Sequence, residues 1–95
     1  MSDLFWTPEA TQDRDAIYDH IDRDNPAAAI ALDERFGERA AYLIDHPMLG
    51  RPGRLPGTRE LIVQRNYIIV YDVTDAAVRV LRVLHTALPW PPERG

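Results

Sequence analysis

The spacing of apolar residues changes once along this chain, and that change limits its fold more than any other feature. Up to about residue 46, apolar side chains recur every three or four positions, as on one side of an α-helix. After residue 57 they alternate or run continuously, as in the strands of a buried sheet. A chain of 95 residues has room for one modest core. We therefore predict a single α+β domain over residues 1–95, in which helices cover a sheet.

Two proline-containing motifs mark where the helices begin. In "TPEA", Thr7 can cap a helix that is expected to run to about Asp24. In "NPAAA", Asn25 caps a second helix. This helix should end near His46, because Pro47 disfavours helical geometry in the residue before it. The connection is short, so the two helices should form an antiparallel hairpin.

Each predicted helix has one apolar face. In the first helix this face consists of Ala10, Ile17 and Ile21. In the second helix, apolar residues recur at steps of three and four. That stripe comprises Ala29, Leu32, Phe36, Ala40 and Leu43. The other face of the first helix is acidic, and is either a solvated surface or a docking surface for a basic partner. Its acidic residues are Asp13, Asp15, Asp19 and Asp22.

The second half predicts three consecutive strands, over 58–65, 66–73 and 77–85, joined by tight turns as an antiparallel meander. Residues 4–6 have strand character as well, so the predicted order is β-α-α-β-β-β. Residues 47–57 should form a loop that carries Arg51 and Arg54. Alternation along the last strand predicts two faces. One face would hold Arg79, Leu81, Val83 and His85, and the other Val78, Val80, Arg82 and Leu84.

Composition excludes several kinds of site. There is no cysteine, and His20, His46 and His85 lie far apart, so we expect no metal. The glycine-containing loop lacks the lysine of a nucleotide-binding P-loop, and we expect no cofactor. The first residues lack the features of a signal peptide, and no apolar stretch is long enough for a membrane span. We therefore expect a cytoplasmic protein.

The charges are unevenly distributed between the two halves. Residues 1–50 carry eleven acidic side chains and four arginines, a balance of −7. Residues 51–95 carry seven arginines and four acidic side chains, a balance of +3. This division predicts a polar molecule with one side that faces anions.

Five stretches, taken in order, resemble the RelE/ParE family of toxins from type II toxin–antitoxin systems. They are "WTPEA", "NPAAA", "GRPGRLPGTREL", "NYIIVYDV" and "VLRVLHTALPWP", and the resemblance covers about residues 3–91. It implies a microbial RNase-like fold, with two helices on one face of a curved antiparallel sheet. It also implies a partner, an antitoxin similar to ParD or RelB, whose C-terminal segment wraps the toxin and blocks it.

The resemblance leaves two mechanisms open. RelE-like members cleave mRNA on the ribosome by metal-free acid–base chemistry, whereas ParE-like members poison DNA gyrase. If this chain were a nuclease, His85 would be its general acid or base, since an imidazole titrates near neutral pH. Arg59, Arg65 and Arg82 would then stabilise charge on the phosphate.

We favour gyrase as the target. Glu60 would suit the role of a base only if it faced the same cavity as His85, and it adjoins Arg59, which should point the opposite way. A net charge of −4 is also unusual for a protein that binds among ribosomal phosphates. We therefore expect His85 to be a structural residue at a strand end. A third alternative is a non-toxic domain that only binds its partner.

Four residues are candidates for partner binding: Arg51, Arg54, Arg65 and Trp90. The arginines would pair with an acidic, disordered segment of the antitoxin that folds on binding. Trp90, in "PWPP", has two interpretations. It can fold back onto the sheet, or it can anchor a partner. We favour the packing role.

Overall fold

The structure, a computed structural model, describes residues 3–92 and confirms the predicted fold class. The elements are β1 (Asp3–Trp6), α1 (Pro8–Asp22), α2 (Pro26–Tyr42), β2 (Arg51–Pro52), β3 (Arg59–Gln64), β4 (Tyr67–Val73) and β5 (Ala77–His85). The strands form one sheet in the order β1-β5-β4-β3-β2. The sheet is mixed rather than wholly antiparallel, because β1 pairs with β5 in parallel.

Both predicted helix starts are confirmed. The Thr7 side chain accepts a hydrogen bond from the backbone of Ala10, and Asn25 caps α2 in the same way. The predicted end of α2 near His46 is wrong, because the helix ends at Tyr42. The next two backbone N–H groups bond to carbonyls three residues back, which tightens the chain into a turn before Pro47. Within residues 3–92, no helix combines the length and apolar character needed to cross a membrane.

The main core lies between the helix hairpin and one face of the sheet, here called the helix face. Leu32, Phe36, Ala40 and Leu43 of the predicted α2 stripe are buried there, as is Ala10 of α1. Ala29, the first residue of the stripe, is also buried but lies outside this cluster. Ile17 and Ile21 are partly buried against the same cluster. The sheet contributes Leu61, Val63, Ile69, Tyr71, Val78, Val80 and Val83.

The opposite side of the sheet, here called the second face, carries a smaller apolar cluster. Ile68, Val70 and Leu84 are buried, and Trp90 packs against them. Both faces of β4 are buried, which explains why its apolar residues are consecutive rather than alternating with polar ones. The helices cover one face, and the C-terminal segment covers part of the other.

The predicted faces of β5 are wrong past its middle. Val70 pairs with Arg82 while Tyr71 pairs with Val80, so a β-bulge leaves Leu81 without a partner on β4. The extra residue reverses the phase of alternation. Val80 and Val83 therefore both face the helices, and Arg82 faces away from them.

The 47–57 loop is held to the sheet by a buried tyrosine. The Tyr71 hydroxyl donates to the Pro47 carbonyl at 2.7 Å and accepts from the Gly50 N–H at 2.9 Å. A Cβ atom at Gly50 would lie 2.8 Å from the Tyr71 ring, so this approach requires glycine. The predicted loop also contains β2, which pairs with the start of β3.

Tyr71→Phe should lower the free energy of unfolding by about 1–3 kcal/mol at neutral pH, because Pro47 and Gly50 would each lose a buried partner. Burial raises the pKa of the Tyr71 phenol above the ordinary 10.0 of an unfolded chain, although the Gly50 N–H and Arg59 oppose that shift. The stability that comes from this difference is complete below pH 10.0 and is lost as pH rises through the folded-state pKa. Chemical denaturation from pH 7 to pH 11 measures both effects.

Tyr42→Phe is the matched control, because the Tyr42 ring is half-exposed. Equal losses in the two variants would contradict the anchoring role of Tyr71.

Candidate functional site

His85 lies on the helix face at the end of β5. It pairs with Tyr67 of β4, and their ring centroids are 5.1 Å apart in an edge-to-face arrangement. Its Nδ1 accepts a hydrogen bond from the Ala87 N–H at 3.0 Å. The neutral ring therefore carries its proton on Nε2. This geometry closes the strand and begins the turn that follows it.

Arg59 is also on the helix face, but it lies at the other end of the sheet. It pairs with Tyr71, whereas His85 pairs with Tyr67, four residues along β4. Four residues span about 13 Å along a strand. The Arg59 guanidinium donates to the carbonyl of Gly50, so its role here is to hold the 47–57 loop.

Arg82 lies on the second face and is already paired. Its Nε and Nη2 donate to the two oxygens of Asp13 on α1, at 2.7 and 3.0 Å. The hydrogen bond with Asp13 raises the pKa of Arg82. The Val83 N–H also donates to Asp13, at 3.0 Å. The Asp13 carboxylate therefore accepts hydrogen bonds from the Arg82 guanidinium and from a backbone N–H group on the outer edge of β5.

Arg65 is exposed in the turn between β3 and β4. This turn lies beside the end of β5, since the Thr86 N–H donates to the Asn66 carbonyl at 2.7 Å. Arg65 and His85 are thus at the same end of the sheet.

The structure does not assemble the four candidate nuclease residues into one site. His85 and Arg65 lie at one end, Arg59 lies at the other, and Arg82 is on the opposite face. Among residues 3–92, no three histidine or acidic side chains are grouped so as to hold a metal ion.

Glu60 is the residue whose role sequence reasoning missed. It lies on the second face, its side chain is only 1% exposed, and it points away from Arg59, as alternation predicted. Its carboxylate accepts the Arg54 backbone N–H at 3.0 Å and lies 3.4 Å from the Arg51 guanidinium and 3.6 Å from the Arg54 guanidinium. The available signal was an acid directly before the apolar run of residues 61–63, shortly after an arginine-bearing loop.

The C-terminal segment is fastened over the same face. Arg54 donates through Nη1 to the Trp90 carbonyl at 3.1 Å, and the Arg82 guanidinium lies 5.6 Å from the centre of the Trp90 ring. The packing role predicted for Trp90 is therefore confirmed. Glu60, Arg54 and Trp90 together form a chain of contacts, here called the second-face clasp, that links the 47–57 loop to the C-terminal segment.

Glu60→Gln should loosen the second-face clasp. The amide keeps the shape of the side chain but loses the charge that pairs with Arg51 and Arg54. We expect a loss of about 1–3 kcal/mol in the free energy of unfolding. We also expect a red shift of Trp90 fluorescence, measured in a Trp6→Phe background.

Arg51→Ala is the matched control, because this side chain is 57% exposed and contributes one contact at 3.4 Å. Unchanged Trp90 emission in Glu60→Gln would contradict the clasp.

Comparison with known families identifies the chain. The model of the "ParE toxin of type II toxin-antitoxin system, parDE" matches residues 4–90. The chain belongs to the ParE toxin family. The chain is 38% identical over 87 residues to the putative toxin Y4kP of Sinorhizobium fredii, with 90% of each chain covered. It is 36% identical over 87 residues to the toxin RelE2 of Caulobacter vibrioides, with 92% of this chain and 98% of that one covered.

One solved structure agrees with this ParE-family membership, and a second agrees with the fold. A chain of the chromosomal ParDE toxin–antitoxin system of P. aeruginosa superposes with a TM-score of 0.80 and 30% identity, over 90% of this chain and 96% of that one. YafQ of E. coli superposes with a TM-score of 0.66 and 17% identity, over 92% and 96%, and shares the fold. The protein is therefore the toxin component of a type II toxin–antitoxin system, and its partner is an antitoxin.

Proposed function

We propose that this toxin acts by binding and inhibiting DNA gyrase in the cytoplasm, and that it does not cleave RNA. The observation that carries the proposal is the dispersal of the candidate catalytic groups. Acid–base cleavage needs a proton donor, a proton acceptor and phosphate-binding cations within hydrogen-bond reach of one substrate. Here His85 and Arg82 lie on opposite faces, and Arg82 is neutralised by Asp13.

Glu60, the acidic residue considered as a general base, also has another role. Glu60 is buried on the second face and bound to Arg54. It therefore faces away from His85. The ParDE structure of P. aeruginosa, similar over nearly the whole chain, agrees with a ParE-like activity.

Ribosome-dependent mRNA cleavage is the second candidate, and one observation favours it. His85 and the exposed Arg65 share one end of the sheet, so they form a minimal pair of a proton donor and a phosphate-binding cation. The relative from Caulobacter is named a RelE toxin.

His85→Ala separates the two activities. If His85 is only structural, the variant should lose roughly 1 kcal/mol of stability, and any change in growth arrest without antitoxin should follow gyrase inhibition rather than mRNA cleavage. If His85 were a general acid, the cleavage rate should fall on the order of a hundredfold or more. Growth, mRNA cleavage on ribosomes and gyrase supercoiling are scored together for the wild type and the variant. Specific mRNA cuts by the wild type that vanish in His85→Ala would overturn the gyrase proposal.

We also propose where the antitoxin binds. β2 covers only the first two residues of β3, so the outer edge of β3 is open over residues 61–64 within the described chain. Ile62, which is 52% exposed, lies on this edge. Arg51 and Arg54 lie near one end of it, and Arg65 lies at the other. An extended acidic segment could pair with the edge as an added strand, place its carboxylates on the arginines and cover Ile62.

The double variant Arg51→Glu with Arg65→Glu should weaken antitoxin binding by about tenfold or more, because like charges would meet at both ends of the segment. Binding is measured by titration calorimetry with the full antitoxin. Arg35→Glu is the control, since Arg35 is an exposed arginine of α2 rather than of the β3 edge or its flanking loops. Equal affinities for the two variants would place the antitoxin elsewhere.

A further inference from the structure

A cavity of about 280 Å³ opens between α1 and the end of β5, and neither the second-face clasp nor the β3 edge uses it. Its walls combine one face of α1 with the segment that follows β5. They include Ala16, Ile17, His20, Tyr67, His85 and Leu88. Aliphatic side chains and aromatic rings make up this lining, so the cavity favours an apolar occupant.

The size of the cavity indicates what kind of group it receives. Sites for small molecules and cofactors usually occupy roughly 300–1,000 Å³. This cavity lies just below that range and is open to the surface, where Leu88 is 54% exposed. One leucine, phenylalanine or tryptophan side chain inserted by another protein would suit it. Single apolar anchors in such pockets supply much of the binding energy at protein interfaces.

α1, which forms one wall of the cavity, is acidic on its exposed surface. The helix carries four exposed acidic residues: Glu9, Asp15, Asp19 and Asp22. The ion pairs found among residues 3–92 use none of these four, and the α1 cation Arg14 is bound to Asp33. Along the chain, the first exposed arginine after these acidic residues is Arg23, which follows the end of α1. This surface therefore attracts a basic partner, in contrast to the arginine-flanked edge of β3.

We propose that the cavity receives one apolar side chain from a basic segment of the protein that this toxin inhibits. The antitoxin segment and the target would then dock on surfaces of opposite charge. The inference rests on the proposed function in one respect, namely that the target is a protein, with gyrase as the candidate.

Filling the cavity tests the proposal. Ala16→Phe places a ring in the space meant for the partner's side chain, and Ala31→Phe, on an exposed position of α2 outside the cavity, is the matched control. Each variant is assayed for binding to purified gyrase, antitoxin affinity, thermal melting and growth inhibition without antitoxin. We expect Ala16→Phe to lose about tenfold or more in gyrase affinity and to relieve growth arrest, with antitoxin affinity and melting unchanged. Ala31→Phe should behave as the wild type.

Reversing one charge tests the basic character of the partner. Asp19→Lys should weaken gyrase binding and reduce its dependence on salt, whereas Asp75→Lys, in the β4–β5 turn, should do neither. Gyrase binding by Asp19→Lys that equals or exceeds that of the wild type would overturn the assignment of a basic partner.

The remaining outcomes separate this inference from the proposed function. If Ala16→Phe inhibits gyrase and growth as the wild type does, the docking site is overturned while the gyrase proposal stands. If Ala16→Phe loses antitoxin affinity, the cavity belongs to the antitoxin and the inference is overturned. If the wild type does not bind gyrase but Ala16→Phe still relieves growth arrest with normal antitoxin binding, the gyrase proposal fails and a target-docking cavity is supported.

Discussion

The packing of the helices on the sheet depends on how α1 and its cap provide hydrogen-bond partners for the backbone groups on the open edge of β5. β1 pairs with β5 only as far as Val80, and beyond that point no strand among residues 3–92 lies beside the outer edge of β5. The Thr7 backbone N–H donates to the Val80 carbonyl at 3.0 Å, and the Thr7 hydroxyl donates to the Leu81 carbonyl at 2.8 Å. Asp13 then accepts the Val83 N–H. Since unpaired buried backbone groups are costly, these contacts fix α1 against the last strand.

Several features of the candidate sites follow from this junction. The bulge at Leu81 lies where Thr7 and Asp13 take over from β1, and it turns Arg82 away from the helix face. Asp13 binds Arg82 there, so the cation stays at the edge of the second face beside Trp90. The same reversal puts His85 on the helix face, next to the cavity that α1 completes. The separation of His85 from Arg82 has a simpler cause, because the two residues are three positions apart on the same side of the bulge and alternation alone puts them on opposite faces.

Sequence patterns predicted the parts of this structure that local chemistry determines. Thr7 and Asn25 cap helices because their side chains reach nearby backbone N–H groups, and the α2 stripe is buried because its spacing matches a helix turn. The faces of β5 could not be predicted, since the bulge depends on α1 contacts that are distant in the chain. Glu60 posed the same difficulty, because its partners come from a loop whose path is set by Tyr71 and Gly50.

These contacts show where the unequal charges of the two halves of the chain lie in the folded molecule. In the first half, Asp13 pairs with Arg82 and Asp33 with Arg14. In the second half, Glu60 pairs with Arg51 and Arg54, and Asp72 pairs with Arg79, so the described residues pair two acids from each half internally. What is left exposed is an acidic α1 beside an apolar cavity, and arginines at both ends of an open strand edge. Each surface also has an exposed apolar residue, Leu88 on the first and Ile62 on the second. Each can therefore combine apolar burial with charge complementarity when a partner binds. A toxin must be bound by one partner and act on another. Two surfaces of opposite charge allow those partners to be distinguished by electrostatics before any close contact forms.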